Sequence, residues 1–465
     1  VFKVKPDGTF KARVVVQGFG QRHGIDCGGT YAPVCRISSQ RTLLCIAASK
    51  GLHVEHLDIE TAFLNAPVEE DVWVFQAPRF EENHLVSGSQ QVLKLRKSVY
   101  GLRQSPRTWN ATFARAVERI GFTPIFSDPC VYVYGSGNTY AELSIYVDDV
   151  LLLGVDLTLV KSLRDQLMNK FSMTNLGAAS LVLGMEIEQG DRCMIGTTGN
   201  YVNSVLHRFD FHESHPAPTP GVGKALSRNP EAAVFLDKSG IKRYQEIVGT
   251  LMYLVNTTRW DISYAELGLT RGMVAPTETN LVAAKRVLRY LRGTPDLPTI
   301  YRKEDLKLVG FADSDFAGDL ETRRSCTGFL FMLGGGVTSS AGVLQKTIAQ
   351  STTEADLIPL HGASQEGVYL LNLLKELGVA INQLFSDTMS ALSLSSQAMF
   401  SSRTKHIAMK YNLRESVDNG RLVFNHLPTT LQLSDLLTKN LPRPSDLKLR
   451  EMVQNFHSSK IWNIR

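Results

Sequence analysis

The stretch at 143–155, LSIYVDDVLLLGV, constrains this chain more than any other. Apolar residues run on both sides of two adjacent carboxylates, Asp148 and Asp149. The pattern predicts a pair of β-strands with the acids at the bend between them. Ionised carboxylates beside buried apolar strands are costly unless a positive charge neutralises them. Hard divalent cations with oxygen ligands do this, and Mg²⁺ takes one or two carboxylates plus substrate phosphates. Taken alone, the stretch also reads as a solvated hairpin turn in which Asp favours the turn geometry.

A chain of 465 residues has room for two to four domains. With 43% hydrophobic and 20% charged residues it is globular, and disorder is excluded. There is no apolar run of membrane-spanning length and no secretory signal at the start. The chain opens on Val1 inside a strand-like segment, as a fragment of a longer polyprotein would. Cys27, Cys35, Cys45, Cys130, Cys193 and Cys326 form no CxxC pair and no Cys/His metal spacing, so free thiols in a reducing compartment are expected. The net charge of +5 is concentrated: residues 1–50 hold eight Lys and Arg against Asp7 and Asp26. That asymmetry points to a polyanionic partner, or else to a solvated basic face.

The first twenty residues alternate around Pro6-Asp7-Gly8, a hairpin signal. Lys11 and Arg13, two apart, project from one strand face and could grip a triphosphate. A helix is expected at 39–50, followed by a short strand ending at Asp58. Residues 158–176 read as an amphipathic helix and 180–189 as a strand. The stretch 212–240, rich in Pro, Ser and Gly, reads as a linker. Three helical segments fill 244–292, the last with Lys285, Arg289 and Arg292 along one face. From 306 onward, strands followed by packed helices argue for an α/β unit.

Asp58 with Phe63 five residues on, then YVDD about ninety residues later, resembles the palm of a reverse transcriptase. KSVYGLRQSPRTW at 97–109 and SDPCVYVY at 127–134 narrow this to a resemblance to the pol region of copia-type LTR retrotransposons. The resemblance implies an α+β/α/β multidomain fold: reverse-transcriptase fingers and palm at 1–211, a linker at 212–240, a helical thumb or connection at 241–300, an RNase H-like domain at 301–445 and a tail at 446–465. It implies RNA- and DNA-directed DNA synthesis from dNTPs by two-metal transfer. Asp58 and Asp148 would bridge the ions with Asp149 assisting, Phe63 would exclude the ribose 2′-hydroxyl, and Gln104 would contact nucleotide and template. Lys94, Arg96, Lys97, Arg103 and Arg107 could track a nucleic-acid backbone.

In the C-terminal unit the order of elements resembles an RNase H fold. Asp313, Asp356, Asp387 and Asp435 stand where that family carries four carboxylates, which implies a second two-metal site degrading RNA in RNA–DNA hybrids. The cofactor implied throughout is Mg²⁺, two ions per site, with Mn²⁺ as a substitute. Implied partners are the RNA template, the DNA primer, the hybrid, dNTPs and other polyprotein segments such as integrase, with no membrane. The implied location is a cytoplasmic virus-like particle with access to the nucleus.

Several positions depart from the family. Asp356 stands for Glu, and Glu354 cannot replace it, because two residues along a helix turn a side chain about 200°. Ser351-Thr-Thr-Glu354 instead predicts a capping box. Pro359 falls inside the helix, where an interior proline costs ~3 kcal/mol and less near the first turn. Ser340, Ala408 and Asn175 also replace family residues. A weakened RNase H site is therefore expected, and a decayed retroelement fragment that only binds nucleic acid stays open beside the enzyme.

Overall fold

The computed structural model describes residues 1–4, 8–77, 80, 92–190, 193–223, 234–304, 306–379, 384–386 and 423–457. The chain forms two compact units, Val1–Arg36 with Leu52–Ala179, and Ile37–Gly51 with Ser180–Arg465.

In the first unit, β1 (Phe2–Val4) pairs antiparallel with β2 (Phe10–Ala12). Helix α1 (Ile37–Lys50) belongs to the second unit. It is buried around its whole circumference from Ser39 to Ala48, as a helix running through a core must be. Returning to the first unit, β3 (His53–Ile59) enters its main sheet, and β4 (Trp73–Phe75) and β5 (Val92–Lys94) form a separate ribbon. Helix α2 (Ser105–Ile120) buries Trp109, Phe113 and Val117 at fourfold spacing and stops at Gly121, whose φ of +113° suits glycine. The short β6 (Thr123–Pro124), β7 (Val131–Tyr134), β8 (Ala141–Tyr146) and β9 (Asp149–Gly154) follow. Helix α3 (Leu157–Met168) starts where Asp156 accepts the Leu159 N–H at 3.0 Å. It ends earlier than its amphipathic pattern suggests, because Met173–Ala178 forms β10 against β3. The sheet order is β10-β3-β9-β8-β7-β6, so β9 and β8 are central strands and are buried at nearly every position.

In the second unit the expected strand at 180–189 is broken by a turn at Leu183 and Gly184, with φ +46° and +80°. The pieces β11 (Leu181–Val182) and β12 (Met185–Gln189) join β13 (Cys193–Thr197) and β14 (Thr299–Arg302) in one antiparallel sheet. Helices α4 (Gly199–Arg208), α5 (Lys238–Thr257), α6 (Ser263–Thr270) and α7 (Glu278–Gly293) share an apolar core that includes Val205, Leu251 and Leu288. On the basic stripe of α7, Arg289 donates to the His215 carbonyl at 2.8 Å and Arg292 to that of His212 at 2.5 Å, while both side chains stay exposed. Part of the expected linker is thereby strapped to the helix, while 224–233 lie outside the described residues.

The last sheet runs β17-β16-β15-β18-β19, from β15 (Val309–Asp315), β16 (Cys326–Leu333), β17 (Gly336–Leu344), β18 (Leu384–Ser386) and β19 (Phe424–His426). Three strands are antiparallel and two are added in parallel, the mixed α/β arrangement expected of this part of the chain. Helix α8 (Thr352–Glu376) begins at the expected cap: Ser351 accepts the Glu354 N–H, but Glu354 turns back to the Gln350 N–H, one residue before the Ser351 N–H that a capping box would use. Pro359 is inside this helix and leaves the Ala355 carbonyl without its helical donor. The buried Gln345 side chain fills that role at 2.9 Å, so the helix runs through. Helices Asp435–Thr438 and Arg443–Gln454 complete the unit. Ala408 and 458–465 lie outside the described residues.

Candidate active sites

The first site is built on the turn between β8 and β9. Asp58 on β3 lies directly opposite Asp149 on β9, and cross-strand partners project from the same face. Tyr146 pairs with Asp149, so Val147 and Asp148 form a two-residue loop. Val147 has φ +61°, a left-handed conformation that a β-branched residue rarely adopts. Its carbonyl accepts the Trp109 indole N–H at 2.7 Å, and the Asp148 carbonyl accepts the Ile59 N–H at 2.9 Å. A helix side chain and a neighbouring strand thus hold the loop that carries the acid.

Burial, with Asp148 and Asp149 beside it, lifts Asp58 above the usual carboxylate range. Burial and Asp149 lift Asp148 likewise. Lys11 pulls both down and Arg13 pulls down Asp148, which places both cations on the side of the acids. His56 Nε2 is 3.1 Å from Asp149 Oδ1. Phe63 is half-buried and packs edge-on against Tyr100 with ring centroids 4.8 Å apart. The Arg13 guanidinium lies 4.8 Å over the other ring of that pair, Tyr100.

Gln104 is fully buried at the start of α2, donating to Glu70 at 3.2 Å and accepting from Gln21 at 3.1 Å. Its amide thereby braces the loops around it. Three of the expected backbone-tracking cations are engaged too. Arg103 donates to the carbonyls of Gly18 and Phe19, Lys94 pairs with Asp71, and Arg107 reaches Gly29 and Glu69.

The second site lies where the helix Asp435–Thr438 meets β15. Thr438 Oγ1 donates to Asp313 Oδ2 at 2.6 Å. Lys439 Nζ is 2.9 Å from Asp435 Oδ1 and 3.5 Å from Asp313 Oδ2. Burial and the nearby Asp313 push the Asp435 carboxyl up to about 7, against the pull of Lys439. Asp356 accepts from Ser314 Oγ at 2.5 Å, the residue after Asp313. Asp387 lies outside the described residues, one position beyond β18, which runs parallel to β15.

Among the described residues, no group of three or more His, Cys, Asp and Glu side chains forms a ready cage for a metal ion. A hard cation does not need one where substrate supplies oxygens: two carboxylates with phosphate suffice for Mg²⁺. The donor chemistry fits. Asp58 and Asp148 are paired acids that repel one another, and Asp435 Oδ1 is a buried carboxylate oxygen beside the Lys439 ammonium, close to Asp313. Sequence reasoning missed Trp109, Tyr100, His56, Thr438 and Lys439. Tyr100 and Trp109 stand in KSVYGLRQSPRTW, and Lys439 follows Asp435 by four, but only the fold shows what each one touches.

Among the described residues, no helix is long and apolar enough to cross a membrane. Residues 1–223 match the family Reverse transcriptase (RNA-dependent DNA polymerase). Over 99% of its length the chain is 38% identical to the Retrovirus-related Pol polyprotein from transposon TNT 1-94 of Nicotiana tabacum, covering 35% of that protein. It is 34% identical over 95% of its length to the corresponding polyprotein from transposon RE1 of Arabidopsis thaliana, covering 30% of it. The chain thus spans about a third of the length of these curated relatives. Among solved structures, a foamy viral protease-reverse transcriptase in complex with double-stranded DNA aligns with 92% of this chain and 64% of its own, at 14% identity and a TM-score of 0.49. The resemblance to copia-type pol sequences is borne out.

Proposed function

We propose, from the premise that residues 1–223 match the reverse transcriptase family and the whole chain is related to retrotransposon Pol polyproteins, that it copies RNA and DNA templates into DNA from dNTPs and degrades RNA in the resulting hybrid. The observation that carries this reading is the placement of Asp58 opposite Asp149, with Asp148 in the adjoining turn. In this proposal 1–211 serve as fingers and palm, 241–300 as thumb or connection and 301–445 as the RNase H-like domain.

Asp58 and Asp148 would hold Mg²⁺ at the first site, and Asp313 and Asp435, with Asp356 and Asp387, at the second. When bound, the ion supplies positive charge to the reacting phosphate and its leaving oxygen. Asp149, braced by His56, adds negative charge beside Asp58 and Asp148. Lys11 and Arg13 counter the charge of the incoming triphosphate, while Phe63, backed by Tyr100, forms the wall against the sugar 2′ position. At the second site Asp356 is one methylene shorter than Glu and already engaged by Ser314, which weakens RNA cleavage relative to DNA synthesis. The working setting is a cytoplasmic virus-like particle, with the RNA template, the DNA primer and integrase as partners.

Primer extension on an RNA template with Mg²⁺ and dNTPs tests the polymerase reading, and cleavage of a labelled RNA–DNA hybrid tests the second site. Extension by the wild type, abolished in Asp148→Asn, with cleavage lost in Asp313→Asn, is the expected result. A wild-type chain that binds template–primer but extends nothing would make it a nucleic-acid-binding remnant.

A further inference from the structure

We propose that Lys439 is a resident counter-ion of the second site: its ammonium holds the place between Asp313 and Asp435 that a divalent cation takes, and it leaves when the cation enters. This rests on the reading of Asp313 and Asp435 as metal-holding acids given above.

The two carboxylates are more than nine-tenths buried, with side-chain exposures of 6% for Asp313 and 9% for Asp435. Two anions side by side in such a setting destabilise the fold unless a cation sits with them. Lys439 stands as that cation, 2.9 Å from one acid and 3.5 Å from the other. Asp313 Oδ2 has a second, neutral partner in Thr438, which would remain when the ammonium departs.

Departure is physically easy. Lys439 follows the last residue of the helix Asp435–Thr438, on extended backbone, and its side chain is 36% exposed. An ammonium on a four-carbon stem is a mobile, strongly hydrated point charge, unlike a forked guanidinium locked to both acids. With both acids ionised, one positive charge leaves the pair net negative, whereas a divalent cation balances both. Exchange is therefore favourable once the metal is abundant. At low metal the lysine keeps the site closed and the fold intact, so it competes with the ion it stands in for.

The test uses the full chain, with Mn²⁺ binding followed by calorimetry and by electron paramagnetic resonance of free Mn²⁺. Thermal unfolding is compared in chelator and in saturating Mg²⁺. Lys439→Met should bind Mn²⁺ at this site about tenfold more tightly, a change of ~1.4 kcal/mol. In chelator it should melt several degrees below wild type, and in saturating Mg²⁺ the deficit should vanish. Lys439→Arg, which keeps the charge, should melt like wild type in chelator and bind Mn²⁺ no more tightly. If Lys439→Met is unfolded in chelator, Lys439→Gln provides the same comparison. Equal or weaker Mn²⁺ binding in the neutral variants would overturn the inference and make Lys439 a structural or assisting residue. The combined Asp313→Asn, Asp435→Asn variant separates the two readings. If it binds as many Mn²⁺ ions as wild type, the site assignment itself is wrong.

Discussion

Trp109 Nε1 donates to the carbonyl of Val147 at 2.7 Å, tying helix α2 to the left-handed turn that presents Asp148. The indole also packs against Phe113 and Phe171, with centroids 5.7 and 5.4 Å away. Trp109→Phe keeps an aromatic ring there and removes only the donor. The turn then loses the bond that holds its strained residue, at a cost of ~1 kcal/mol in chemical denaturation. Turnover in primer extension should fall by about tenfold with little change in the KM for dNTP, because displacement of a reacting group by about 1 Å costs rate more than binding. Unchanged turnover would mean that β8 and β9 define the turn without help.

Phe63 and Tyr100 meet edge to face beside the acids. Phe63→Val shortens the wall and should raise incorporation of rNTPs relative to dNTPs by about tenfold or more, a difference of at least ~1.4 kcal/mol in discrimination. Steady-state incorporation of matched rNTP and dNTP reads this ratio. An active variant with the wild-type ratio would assign Phe63 to packing alone.

Gln345 and Pro359 are coupled through one carbonyl. The Gln345 amide donates to the Ala355 oxygen that Pro359 leaves without a helical partner. Gln345→Leu should therefore destabilise the chain by about 1–3 kcal/mol, the range for stranding a buried acceptor. In a Pro359→Ala background the new N–H can satisfy Ala355, and the same substitution should cost about half as much or less. Urea unfolding of the four proteins measures the coupling. Additive effects would show that the two residues act independently.

Glu266 on α6 has its carboxyl lifted from 4.5 to about 7 by burial. A carboxyl raised in the folded state is protonated in both states below pH 4.5 and carries no penalty there. Between that pH and about 7 the unfolded chain ionises first, and stability is lost progressively. The full shift is worth about 3 kcal/mol. Glu266→Gln should thus melt above the wild type at pH 8 and close to it at pH 4, and the gap should open between these values. A constant gap would show that the side chain is solvated.

Much of the first site is legible in the sequence. An uninterrupted apolar run on either side of Asp148 and Asp149 leaves a chain few options but two central strands and a tight turn. Ser351 with Glu354 three residues later announced the start of α8, because capping is settled within four residues. The hairpin of β1 and β2 was readable for the same local reason.

Other features were not legible because a residue's partner lies far away in sequence. Gln104, Arg103, Arg289 and Arg292 look like free polar side chains in a linear reading, yet the fold commits each to its own chain. The pairing of β10 with β3 likewise overrode the helical pattern that ran past Met168.

The sequence by itself determined the periodicities, the caps and the identity and order of the acids, because these depend on neighbours within a few residues. Only the tertiary structure decided which charges are spent. It brought Lys439 between Asp313 and Asp435, put Trp109 under Val147 and gave Ala355 a donor in Gln345. Electrostatic and hydrogen-bond partners are chosen by distance in space, and a linear pattern holds no record of that distance.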